Sequence, residues 1–254
     1  MVFDFGPYDH YLFAALAILG TFSAAWFLLW LSQHSPFAPF IHSFRGVAPN
    51  FLSVIGVVFA LNLVFLANDT WHAHDRALDA VFQEAGSLRS ILALIERLQE
   101  PSRGSIREVI KTYAGLTVNE EWPALAQRQS VPAAANQLDV LLDLLTSAEV
   151  ARSLGATVQT LLLQQAIQVR GNRAIRIAVS QTHINPLKWL GMAFLGFVMM
   201  VSIVMVHVDQ ARAEVLAIML FAAAAAPTVA IVLVQGNPFQ QPTAVSSAPI
   251  SALR

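Results

Sequence analysis

No cysteine occurs among the 254 residues, which removes disulfides, thiolate zinc sites and cysteine nucleophiles together. Charge is nearly as scarce. Asp, Glu, Lys and Arg make up 12% of the chain, where soluble domains carry about 25%. The formal net charge of −1 leaves no basic excess to neutralise phosphates, so no nucleic-acid partner is expected. The opening stretch MVFDFGPYDHY contains no Lys or Arg and therefore lacks the basic flank of a cleavable signal peptide. The first apolar segment is expected to remain as an anchor. Neither strand-like alternation nor a glycine-rich nucleotide loop interrupts the sequence.

What is abundant is apolar sequence, at 56% of residues. Four uncharged runs approach the roughly 18–20 residues that cross about 30 Å of hydrocarbon as a helix. They are Tyr11 to Leu31, Asn50 to Ala67, Leu190 to Val206 and Val215 to Gln235. The third can start near Leu187, with Lys188 snorkelling to the interface and Trp189 at headgroup level. In the fourth, Pro227 follows five alanines, Ala222 to Ala226, which predicts a kinked helix that a neighbour approaches closely.

The chain therefore divides into an N-terminal transmembrane hairpin (1–67), a helical domain (68–186), a C-terminal hairpin (187–235) and a proline-containing tail (236–254). Within the domain, Leu78, Val81, Phe82, Ala85, Leu88, Leu92 and Ile95 have the i, i+3, i+4 spacing of an amphipathic helix ending before Pro101. Ser105 and Glu108 have capping-box spacing ahead of a helix through Leu116 that stops around Trp122 and Pro123. Two further helices are predicted, about Ala133 to Val150 and about Leu154 to Gln181. The tail should be irregular, either free or docked on the domain through Phe239 and Leu253.

Four spans put both termini and the domain on one side of the membrane. The hairpin loops hold only Arg45 and Arg212 of the 15 Lys and Arg, so the positive-inside rule makes the domain side cytoplasmic.

This order of features resembles the bacterial bestrophin-like membrane proteins. The residues that carry the resemblance are FLSVIGVVFALNLVFLANDTW leading into EAGSLRSIL, the EEWPAL turn, INPLKWLGM opening the third span, and GNPFQQPTAVSSAPISAL at the end. Bestrophins proper are pentameric anion channels whose second span lines the pore and whose cytosolic domain lies between the second and third spans. The resemblance implies an all-α inner-membrane protein of bacterial type, a pore-like homo-oligomer (a pentamer by analogy) in the lipid bilayer, and small inorganic ions as the transported species. It does not imply calcium activation, because NEEW offers only Glu120 and Glu121 where the bestrophin clasp has an acidic run.

Projected at about 100° per residue, Phe51, Ile55, Val58, Asn62, Phe65, Asp69, Arg76 and Gln83 lie within about 60° of one line. Asn62, Asp69, Arg76 and Gln83 recur every seven residues. One reading makes this line the wall of a pore, with Ile55, Val58 and Phe65 as apolar rings that gate by dewetting. The other makes Asn62 a helix-packing hydrogen bonder and the remaining polar residues a solvated face.

Arg170, Arg173, Arg176 and Lys188 approach the third span and suit anchoring to anionic lipid headgroups, or attraction of anions toward a vestibule. Asp69 and His72 are three apart and share a helix face, but no second pair at metal spacing accompanies them, so no metal site or cofactor is expected. The span interiors offer Ser23, Ser53, Ser202, Thr21, Thr228 and Asn62 without a base to activate them, which argues against an enzyme. The expected function is ion conduction along the second span. The alternative is a non-conducting scaffold or signalling protein acting through its helical domain.

Overall fold

The computed structural model describes residues 9–43, 50–181 and 186–254. Regular structure among them is entirely helical: α1 (Asp9–Gln33), α2 (Ala38–His42), α3 (Asn50–Leu94), α4 (Ser102–Leu116), α5 (Trp122–Ala126), α6 (Pro132–Leu145), α7 (Ala148–Leu154), α8 (Ala156–Ser180), α9 (Pro186–His207), α10 (Ala211–Val234) and α11 (Ala248–Ser251). A π-turn, Thr117–Glu121, joins α4 to α5. Arg45, Ile184 and Asn185 lie outside the described residues.

The chain forms two compact units. The first contains α1, α2, α3 as far as Trp71, α9 and α10. It holds four helices long and apolar enough to cross a membrane, the first half of α3 among them. They are apolar around their whole circumference, as helices bathed in lipid must be. Small residues set their packing, since lipid offers no hydrophobic gain for helix association. Ala25 and Leu28 of α1 lie buried with Ile218 and Ala222 of α10, and Ala14 with Ala230 and Leu233. This is the close approach that the alanine run predicts, and α10 is one continuous helix through Pro227. A Cβ on Gly196 of α9 would come within 3.3 Å of the Phe59 ring, so glycine keeps α9 close to α3 there. Phe59 in turn meets Phe221 edge to face at 5.4 Å.

The second unit contains the rest of α3, α4 to α8 and the tail from Asn237. Its core runs along α3 through Ala77, Val81, Ala85, Leu88, Ile91 and Ile95, and is closed by Ile106, Ile110 and Tyr113 of α4, Leu138 and Leu141 of α6, and Leu162, Ala166 and Val169 of α8. The buried stripe on α3 is rotated from the predicted one: Leu78 and Phe82 are exposed, while Ala77, Glu84 and Ile91 are buried. Small Ala77 and Ala80 bring the neighbouring helices against that side, and a buried ion pair holds Glu84 among them.

Two boundaries also differ from expectation. The Ser105–Glu108 capping box is not formed. Helix α4 begins earlier, Glu100 Oε2 accepts from the Gly104 amide at 2.9 Å, and Ser105 Oγ donates back to Pro101 O. The helix expected from Ala133 to Val150 breaks at Ser147, whose hydroxyl caps α7, and Gly155 with φ 80° turns the chain into α8. The tail docks within this unit: Phe239, Val245, Ile250 and Leu253 are part of its core.

Candidate functional site

Helix α3 runs for 45 residues without interruption, so the whole proposed line lies on one helix. The fold of a single chain leaves much of that line uncovered. Phe51, Val58, Phe65, Asp69, Arg76 and Gln83 are exposed, and Ile55 and Asn62 are partly so. In the membrane half, Phe59 and Leu66, which flank the line, and Ala67, on its far side, are buried. Two residues assigned to different roles come together: Lys188 Nζ donates to Asp69 Oδ2 at 2.6 Å. Arg76 donates to His72 O at 3.2 Å and has no ion-pair partner among the described residues. Gln83 lines an open groove of about 600 Å³ with Ser87 on α3 and Gln168 and Asn172 on α8, where Ser87 Oγ donates to Gln168 Oε1 at 3.2 Å.

The three arginines do not share a surface. Arg170 is exposed and pairs with Asp139. Arg173 is 12% exposed and donates to Glu121 Oε2 at 3.1 Å and to Val131 O at 3.0 Å. Arg176 is 0% exposed. A wholly buried guanidinium cannot reach a lipid headgroup, so anchoring is corrected for Arg176. For Arg173, the Glu121 and Val131 partners already take up the head group.

Arg176 lies in the middle of a buried cluster of charged and aromatic side chains. Its Nε and Nη2 donate to the two oxygens of Glu84, at 2.7 and 3.0 Å, in a fork-to-fork pair. Tyr113 Oη donates to Glu84 Oε1 at 2.6 Å. Above the guanidinium, the Trp122 ring centroid is 5.1 Å from Arg176 Cζ. Trp122 Nε1 donates to Val245 O at 3.0 Å, and its ring meets Phe239 edge to face at 5.4 Å. Helix α3 supplies Glu84, α4 Tyr113, the π-turn Glu121, α5 Trp122 and α8 both arginines, so one cluster ties five segments.

The electrostatics follow from burial. Desolvation, reinforced by the neighbouring Glu84 charge, pushes the Tyr113 phenol well above its ordinary range and keeps it a neutral donor. Burial is the largest single influence on Arg176 and lowers its pKa, but the Glu84 charge, Tyr113, the Glu84 hydrogen bonds and Glu121 together outweigh it and raise it. Glu121 is raised, chiefly by desolvation, with Arg176 and Arg173 opposing the shift.

Sequence reasoning missed Glu84 and Glu214. Glu214, at the start of α10, is buried and accepts from Ser32 Oγ and, at 3.2 Å, from Gln33 Nε2. For Glu214 the available signal was a carboxylate at the edge of an otherwise uncharged apolar run; for Glu84 the local pattern offered none. Among the described residues no group of three or more His, Asp or Glu gathers in a metal-binding arrangement.

Four long apolar helices joined to a helical unit without strands among the described residues define a polytopic, all-α membrane protein. The chain belongs to the bestrophin-like family: its Bestrophin-like domain matches residues 19–250. No curated protein matches. Among solved structures, a variant of a bacterial bestrophin homologue from Klebsiella pneumoniae aligns with TM-score 0.62 at 14% identity, over 96% of this chain and 94% of that one. A second variant of the Klebsiella pneumoniae homologue gives TM-score 0.60 at 12% identity over 94% and 93%. A crystal structure described as a membrane protein gives 0.63 at 12% identity over 96% and 95%. At these identities the likeness is one of fold.

Proposed function

We propose that the protein is an oligomeric channel for small ions, with α3 of each subunit facing a central path and the α4 to α8 unit on the cytoplasmic side. The observation that carries this reading is the line on α3, apolar at Ile55, Val58 and Phe65 and polar at Asn62, which a single chain leaves largely uncovered. One subunit's few helices cannot enclose a conduit, and closed rings are the usual solution. Membership of the bestrophin-like family supports the reading.

Anions are the favoured species. The carboxylate of Asp69 is balanced by Lys188, which leaves Arg76 as the uncompensated charge on the line. A ring of arginines at a vestibule raises the local anion concentration.

Purified protein in liposomes tests this. Wild type is expected to conduct chloride in preference to sodium. Phe65→Ala raises the flux by widening an apolar ring, Asn62→Leu lowers it, and Arg76→Gln lowers the chloride preference. Absence of flux at any voltage or pH rejects the channel and leaves the scaffold reading. Flux indifferent to all three substitutions rejects this line.

A further inference from the structure

The membrane half of α3 and helix α9 pack antiparallel and in register. A Cβ on Gly56 would lie 3.4 Å from Met199 Cε, a Cβ on Gly196 would lie 3.3 Å from the Phe59 ring, and Leu66 is buried in one cluster with Met192. Residue numbers thus rise along α3 as they fall along α9. Met199, Gly196 and Met192 are three and four positions apart, which puts them on one face of α9. Four positions before Met192 the same face presents Lys188. The register delivers it to Asp69, whose Oδ2 accepts from Lys188 Nζ at 2.6 Å. Packed apolar residues therefore fix which lysine meets which carboxylate.

The two side chains are exposed, at 55% for Lys188 and 58% for Asp69, and an exposed pair adds little to stability. What it changes is the field along α3. The line from Phe51 to Gln83 carries two charged residues, Asp69 and Arg76, and their charges cancel. Repeated around a ring, they would form one acidic and one basic girdle of equal charge. Acidic rings favour cations and basic rings favour anions, so the two together would give no preference. Lys188 breaks that tie from a helix outside the line. We propose that Lys188 is the selectivity-determining residue of the ion path: by neutralising Asp69 it leaves the sign of the path to Arg76. This role rests on the channel reading above. A lysine that only anchors α9 at the headgroups would leave selectivity untouched.

Reversal potentials of the full-length protein in planar bilayers, under a sodium chloride gradient, test the role. Lys188→Gln should lower the chloride-to-sodium permeability ratio by about tenfold. Asp69→Asn should raise it, because the ammonium then stands uncompensated. The double variant has the same summed charge as wild type and should return the ratio close to the wild-type value. Lys188→Arg keeps the charge and should preserve the preference. Melting temperatures should differ little across the set, which separates a field effect from a structural one.

A wild-type ratio in conducting Lys188→Gln overturns the proposal and leaves the channel standing, with Lys188 as a headgroup anchor only. A double variant as poorly selective as Lys188→Gln also overturns it, because Lys188 would then act without Asp69. Comparison of Asp69→Asn with the double variant reads the same loss of charge in a background without the carboxylate. Equal ratios there overturn the proposal even where the single Lys188→Gln variant does not fold. Absence of flux from wild type rejects the channel and this role together.

Discussion

Glu84→Ala is expected to lower the unfolding free energy by about 3–5 kcal/mol, the largest effect of any single polar substitution in this chain. The reason is what it leaves behind. Arg176 is wholly buried, and its charge would face the Trp122 ring and the apolar core with only the more distant Glu121 to balance it. Tyr113 would lose the acceptor of its 2.6 Å hydrogen bond as well. Denaturant unfolding of the purified protein measures the loss. The same physics predicts a rescue. Removing the pair together, as Glu84→Leu with Arg176→Met and Tyr113→Phe, eliminates both the uncompensated charge and the orphaned hydroxyl. Replacing buried ion pairs by apolar groups of similar volume is often neutral. The triple variant should therefore recover most of the stability that Glu84→Ala loses. A triple variant as unstable as the single one would show that the pair itself, rather than the cost of an unmatched charge, holds the cluster together.

This cluster also marks where the sequence could be read and where it could not. The four long apolar helices were legible because continuous uncharged runs have one physical solution in a bilayer, and α3 was legible as one helix because nothing in it forces a stop. Arg176 was misread for a geometric reason. Each step of three residues turns a helix by about −60°, so two steps carry Arg176 roughly 120° from Arg170. One therefore remains at the surface beside Asp139 while the other enters the core. Glu84 was hidden because an amphipathic pattern treats any carboxylate as solvent-facing. Its position between Val81 and Leu88, on the same side as Ala77 and Ile91, becomes meaningful only once a partner 92 positions away along the chain is known. Hydrophobic period is a local signal, and a long-range ion pair is not. Docking of the tail was undecidable for a related reason: its few apolar residues are held by particular carbonyls and one indole ring, which no periodicity encodes.

That docking supports the second large prediction, that Phe239→Ala costs about 3–5 kcal/mol and releases the last segment of the chain. Phe239 is buried against Trp122, the same ring that covers Arg176, so its loss opens a cavity at the edge of the ionic cluster. The polar contacts around it depend on that seating. Asn237 Nδ2 donates to Leu125 O and Ala126 O at 3.2 and 3.3 Å, Gln240 Nε2 donates to Ala126 O at 2.8 Å, and Trp122 Nε1 reaches Val245 O. The Asn237 and Gln240 bonds terminate α5, whose last carbonyls have few partners of their own. Each is worth only about 0.5–1.5 kcal/mol net, too little to order the segment without the buried ring. Hydrogen exchange separates the local from the global consequence. In wild type the Val245 amide donates to Pro238 O at 2.8 Å and should be protected. In Phe239→Ala it should exchange much faster than the amides of α3 and α8. Equal acceleration everywhere would mean that the tail and the helical core unfold as one unit. Unchanged protection at Val245 would mean that Ile250 and Leu253 alone suffice to hold it.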